Sequence, residues 1–175
     1  NADFRGVKRL LDVGGGSACF PISIAQEHPD IHFTIMELES VCKIAAGYVS
    51  DYGLSDRIDT VAVDMFHDAW PKGYDAIFFS NIYHDWGWKR CEHLTKESFN
   101  VLPSGGRIYL HEMLLNDTKD GPATASLFSM NMSFFTEGKQ FSGAELRGLL
   151  EAHGFTDVTI TPTYAYYSVV SGRKL

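Results

Sequence analysis

The run Arg9-Leu10-Leu11-Asp12-Val13-Gly14-Gly15-Gly16-Ser17-Ala18 decides the fold. Its first five residues make an apolar stretch of strand length, three glycines follow, and residues 19–28 carry apolar side chains at helical spacing until Pro29-Asp30 stops them. Strand, glycine turn and helix together open a βαβ unit. Consecutive glycines at such a turn allow positive φ and let a ligand approach the main chain closely, while the helix N-terminus offers free N–H groups to an anion.

The alternation continues outward. Residues 32–36 predict a second strand, residues 39–52 a helix ending at Gly53, residues 58–63 a third strand and residues 74–79 a fourth, preceded by the turn Pro71-Lys72-Gly73. Residues 86–101 read as a helix halted by Pro103-Ser104-Gly105-Gly106, and residues 107–111 as a fifth strand. After a polar loop over 116–122 come helices over 123–135 and 142–153, the second marked by the capping-box spacing Ser142-x-x-Glu145 and by Gly154 at its end. Residues 155–161 and 164–171 form two more β-rich runs about a turn at Thr161-Pro162-Thr163, an antiparallel hairpin. The prediction is an α/β fold: a Rossmann-like, doubly wound, mostly parallel seven-stranded sheet with a C-terminal antiparallel hairpin, forming one domain over residues 1–175. In such sheets ligands bind at the C-terminal ends of the strands.

The 175 residues carry 15 basic and 22 acidic side chains, a net charge of −7, with 45% hydrophobic and 21% charged residues. That composition excludes disorder, collagen and coiled coil, and the acidic balance gives no footprint for nucleic acid or an anionic membrane. Cys19, Cys42 and Cys91 lie far apart without a CxxC, so neither a disulfide framework nor a zinc site is indicated and a cytoplasmic setting is expected. No apolar run reaches the length of a membrane span, and residues 1–4 lack the features of a signal peptide. The chain begins without Met, which suggests a piece of something longer.

Chemistry collects at the strand ends. The glycine turn has no Lys-Ser/Thr for a P-loop and no glycine at Cys19 for the dinucleotide fingerprint, leaving an adenosine ligand without phosphates. Glu37 closes the second strand, where an acid accepts from a ribose diol or, alternatively, caps a helix. Asp64-Met65-Phe66 closes the third, joining an acceptor for an exocyclic amine to two apolar residues suited to enclose a base, although a turn Asp beside core residues fits the same letters. The fourth strand runs into Ser80-Asn81-Ile82-Tyr83-His84-Asp85-Trp86, placing His84 where a base would meet a substrate. Glu112, at the end of the neighbouring fifth strand, is placed to orient that imidazole. His28, His32, His67, His93 and His153 show no partner spacing and are expected to be solvated, and the apolar stretch over 127–135 is expected in the core or, with Asn131 as its polar handle, over an aromatic substrate.

Leu11-Asp12-Val13-Gly14-Gly15-Gly16, Met36-Glu37-Leu38, Asp64-Met65-Phe66 and His84-Asp85-Trp86, in that order and spacing, resemble the S-adenosylmethionine-dependent O-methyltransferases of the caffeic acid, hydroxyindole and polyketide type. The resemblance implies S-adenosylmethionine as cofactor, with Gly14 and Gly16 of the turn beside its methionine part, Glu37 on the ribose, Asp64 and Met65 on the adenine and Ser80 as a further contact. It also implies His84 as catalytic base, Glu112 as its orienting carboxylate, Asn131 and Gln140 on the substrate side, no metal, a small hydroxylated aromatic or polyketide-like substrate, and a helical N-terminal dimerisation domain that this sequence lacks. The chain departs from the pattern at Ala18, where most relatives have glycine and a narrower loop is expected, and at Glu37, where Asp is usual. Gly87-Trp88-Lys89-Arg90 replaces an acidic pair. Gln140 stands where a second histidine-orienting Glu would match, so a cofactor-binding module that scaffolds a larger synthase, or one that catalyses a non-methylating reaction, remains the alternative.

Overall fold

A computed structural model describes residues 2–175; Asn1, the first residue of the expected domain, lies outside the described residues. Strands β1 (Arg9–Val13), β2 (His32–Glu37), β3 (Ile58–Ala62), β4 (Ala76–Ser80) and β5 (Arg107–Met113) pair in parallel, and β6 (Phe155–Pro162) and β7 (Tyr167–Lys174) complete the sheet antiparallel. The order β3-β2-β1-β4-β5-β7-β6 reverses direction between β1 and β4, so the crevice of a doubly wound sheet lies above their C-terminal ends. The expected architecture is observed, hairpin included.

Both faces of the sheet are covered, which explains strands that read as nearly continuous apolar runs. Leu10, Phe33 and Phe78 pack under α1 (Cys19–Glu27) and α2 (Glu39–Asp51), while Leu11, Val13 and Ile77 pack under α3 (Trp88–Val101) and α5 (Gly143–Ala152). Ser142 and Glu145 form the capping box that starts α5, each side chain bonding the other's backbone N–H.

Four local readings change. The hairpin turns at residues 163–166 rather than at Thr161-Pro162-Thr163, because β6 is an edge strand where proline costs no ladder bond, and Thr163 N donates to Tyr167 O at 2.9 Å. The helix expected from residue 86 starts two residues later, because Trp86 and Gly87 are extended after a single 3-10 turn at Tyr83–Asp85. Ala18 does not merely narrow the glycine loop: it is fully buried in the left-handed region at φ 71°, which costs a residue with a Cβ roughly 1–2 kcal/mol. Finally, α4 (Ala123–Phe135) is not a core helix. Ala125 and Met132 are buried, whereas Leu127, Met130, Phe134 and Phe135 are 58–80% exposed, because α4 meets the rest of the fold along one stripe only.

Candidate active site

Gly14, Glu37, Asp64 and Met65, which come from three different strand ends, line one cleft of about 210 Å³ closed by Phe66, Ile82, Asp85 and Trp86. Gly14 is held at φ 70° and a Cβ there would lie 2.5 Å from Ile82 Cδ1, so the turn has to be glycine for the cleft wall to pack. Glu37 ties the turn to β2: Gly16 N donates to its Oε1 at 3.3 Å and Leu38 N to its Oε2 at 2.8 Å. Asp64 accepts from Phe66 N and pairs with His67 Nδ1, both at 2.9 Å, and the His67 bond, then the Phe66 bond, hold its carboxyl below the usual range. Each carboxylate oxygen retains capacity for another donor. The apolar wall is an edge-to-face pair, Phe66 on Trp86 with centroids 4.7 Å apart, covered by the Arg90 guanidinium at 4.9 and 4.6 Å from the two rings.

Beside this cleft the chain from β4 turns sharply, and Glu112 on β5 holds the turn. Its Oε1 accepts from Ile82 N at 3.1 Å and Tyr83 N at 2.9 Å, and its Oε2 lies 2.7 Å from His84 Nδ1. A carboxylate so placed can only accept, so Nδ1 carries the proton and Nε2 the lone pair. His84 and Glu112 are 4% and 1% exposed, and Asp85 is a second acid near the ring, its Oδ1 lying 3.6 Å from Nε2. Burial pulls the His84 pKa down, but the Glu112 bond and charge, helped by Asp85, outweigh it and leave it above the ordinary value. Asp85 is itself raised, chiefly by burial. Phe128 of α4 meets the imidazole edge-on at 5.6 Å.

The remaining expected residues lie around this centre. Ser80 sits outside the cleft lining and bonds His111 Nδ1 at 2.9 Å, while His111 Nε2 reaches Thr163 Oγ1 at 3.2 Å. Asn131 is exposed on α4 and its side chain makes no hydrogen bond among the described residues. Gln140 is 1% exposed with neither amide atom bonded, so it does not hold His84 by a hydrogen bond. Its main chain is fixed instead, with N donating to Ser129 Oγ at 3.1 Å. A separate cavity of about 510 Å³ opens between Trp86, Trp88, Ser133 and Lys139. Among the described residues no group of three or more His, Cys, Asp or Glu gathers as a metal site.

Sequence reasoning passed over Asp85, Phe128 and Arg90, of which Asp85 carried a signal in its adjacency to His84. It also passed over Asp12, whose carboxyl is buried without a partner beneath the glycine turn. Of the five histidines expected to be solvated, His32 and His67 are exposed, but His67 pairs with Asp64, His28 packs on Phe4 and His93 on Phe66, and His153 Nδ1 lies 2.9 Å from Leu149 O.

A doubly wound sheet with a small acid-lined cleft at its switch point, and a buried imidazole–carboxylate pair beside it, is the architecture of a Rossmann-like ligand-binding domain. The comparisons make the family specific. The profile of the O-methyltransferase domain matches residues 1–156. A 3-hydroxy-5-methyl-1-naphthoate 3-O-methyltransferase of Streptomyces sahachiroi is 38% identical over 158 residues, 90% of this chain and 46% of that protein. An L-tyrosine C(3)-methyltransferase of Streptomyces lavendulae is 33% identical over 178 residues, covering 98% and 49%. The crystal structure of human N-acetylserotonin methyltransferase in complex with SAM superposes at TM-score 0.92 with 28% identity, covering 99% and 49%. The chain belongs to the O-methyltransferase domain family, whose cofactor is S-adenosylmethionine, and it spans about half the length of the curated relatives it matches.

Proposed function

We propose that this chain is the catalytic part of an enzyme that moves a methyl group from S-adenosylmethionine to a hydroxyl oxygen of a small aromatic or polyketide-like molecule, with His84 as general base. The observation that carries the reading is the buried His84–Glu112 pair at 2.7 Å beside the acid-lined cleft. The residues present fit the cofactor: the turn at Gly14 and Gly16 admits close approach, the Glu37 carboxylate suits the ribose diol, and Asp64 and Met65 suit the base, whereas Ser80 is engaged with His111 outside the cleft lining. When bound, S-adenosylmethionine supplies a methyl on a positively charged sulfur, which is the electrophile.

The protein's own residues do the rest. Nε2 of His84 takes the hydroxyl proton as the oxygen acquires the methyl, and the buried Glu112 charge stabilises the resulting imidazolium without accepting the proton. Asp85 adds to that field. Phe128 shields one edge of the ring, and α4, with Asn131, bounds the substrate side. Most of the acceleration comes from holding the two reactants in line.

His84→Ala should leave cofactor binding by calorimetry nearly unchanged while methyl transfer to a panel of phenols falls by roughly 10²–10⁴-fold. Unchanged turnover would remove His84 from the mechanism. A second reading, cofactor binding without methyl transfer to oxygen, is favoured by the unbonded Gln140, which supplies no second charge to the imidazole. It predicts binding with no O-methyl product from any acceptor. The acidic composition supports the expectation that the enzyme works without nucleic acid, and the scattered cysteines without a CxxC support a cytoplasmic setting; a homodimer of the full-length protein is proposed alongside them. Among the described residues no helix is long and apolar enough to cross a membrane.

A further inference from the structure

Asp12, the last residue but one of β1, is 1% exposed and has no hydrogen-bond partner for either carboxyl oxygen among the described residues. It lies directly under the glycine turn, where a Cβ on Gly15 would overlap the carboxyl, and the next glycine back, Gly14, lines the cofactor cleft. The titratable groups on the elements around it are His32 and Glu37 on β2, Cys19 and Glu27 on α1, Glu39, Cys42, Lys43, Tyr48 and Asp51 on α2, and Arg107, Tyr109, His111 and Glu112 on β5; β4 contributes none. Of these only Glu37 bears on Asp12, and its negative charge opposes a second one.

A buried carboxylate with neither a bond nor a counter-charge is costly, so the group stays protonated until something positive arrives. We propose that Asp12 is a neutral carboxylic acid while the cleft is free and sheds its proton to solvent when a ligand bearing positive charge occupies the cleft, so that binding of the methyl donor is coupled to proton release. The inference rests on the cleft being the S-adenosylmethionine site. Its consequence is selectivity by charge: a cationic donor gains the field of a newly formed carboxylate, and a neutral nucleoside in the same cleft does not. Burial, with Glu37 adding to it, pushes the free-state pKa up to about 8, so the effect falls within the neutral range.

The test is calorimetric titration at pH 6.5 in two buffers of different ionisation enthalpy, where the ligand's own α-ammonium (pKa roughly 7.7–8.0) stays charged. S-adenosylmethionine should bind the wild type with release of close to one proton, 5′-methylthioadenosine with none, and Asp12→Asn should bind S-adenosylmethionine without release. S-adenosylhomocysteine separates the sources of charge: release with it assigns the effect to the ammonium, and release with the sulfonium donor alone to the sulfur. Loss of the protonated carboxyl's carbonyl band on adding donor to the wild type, read by infrared difference spectroscopy, checks the proposal without a variant. Binding of the donor to the wild type with buffer-independent heat overturns it, as does undiminished release by Asp12→Asn. Failure of the wild type to bind the donor at all would instead overturn the cofactor reading, and this one with it.

Discussion

Asp12 makes folding stability depend on pH in a direction opposite to that of most carboxyls. Unfolded, it ionises near pH 3.9; folded, burial and then Glu37 hold it protonated up to about 8. Between those values the native state binds one proton more than the unfolded state, so stability is highest below about pH 4 and falls as pH rises toward 8. The slope is about 1.4 kcal/mol per pH unit, and over four units the loss comes to about 5–6 kcal/mol, comparable with the whole stability of many domains. Asp12→Asn removes the titration while keeping the shape. An unpaired amide and an unpaired carboxylic acid cost similar amounts, so the two proteins should match near pH 4 and diverge above it, the variant becoming the more stable. His84, whose raised pKa also makes stability fall with rising pH, is present in both and cancels on subtraction. Urea denaturation followed by circular dichroism at pH 4.5, 5.5, 6.5 and 7.5 reads the difference directly. A difference constant across that range would refute the buried neutral acid.

Glu112→Gln keeps an acceptor for Ile82 N and Tyr83 N but removes the charge that lifts the His84 pKa, so the ascending limb of methyl transfer, above pH 6.5 in the wild type, should shift to lower pH while the maximal rate falls; an unmoved limb would show that Glu112 does not tune the base. Glu37→Ala removes the carboxylate proposed to accept from two ribose hydroxyls and frees Gly16 N, and calorimetry should show cofactor affinity lower by roughly 10²-fold, at about 1.5–3 kcal/mol for charge-assisted bonds. Retained affinity would take Glu37 out of the ribose site.

How far the site could be read in advance follows from which interactions are local. The glycine turn, the acid at the end of β2 and the Asp-Met-Phe at the end of β3 each announce themselves, because a parallel sheet lines up the C-terminal ends of successive strands and residue type at a strand end is visible directly. Strand order is not visible in the same way. The hairpin was legible, but that its second strand lies between β5 and β6 depends on pairing across more than fifty residues. The sharp turn holding His84 is not legible in the same way, because the force that sharpens it, a carboxylate 28 residues away accepting two backbone N–H groups, leaves no periodic trace.

His111 and Glu112 show where the limit lies. Adjacent residues on a strand point to opposite faces, so the letters His-Glu at the end of β5 already imply that one serves each side of the sheet. Which serves which is settled by parity with the core: Ile108 and Leu110 pack with α3 and α5, so Glu112 turns to that side and meets His84, while His111 follows Tyr109 toward α1 and meets Ser80. The same rule carries Asp12 with Leu10 to the α1 face beneath the glycine turn, a placement the sequence contains but that only acquires meaning once no donor is found there. Gln140 obeys no such rule. It lies in an irregular segment whose position is set by Gly138 packed against the His84 carbonyl and by the bridge from Leu115 to Ser142. A match of position along the chain therefore predicted a hydrogen bond from Gln140 to His84 that its side chain does not make.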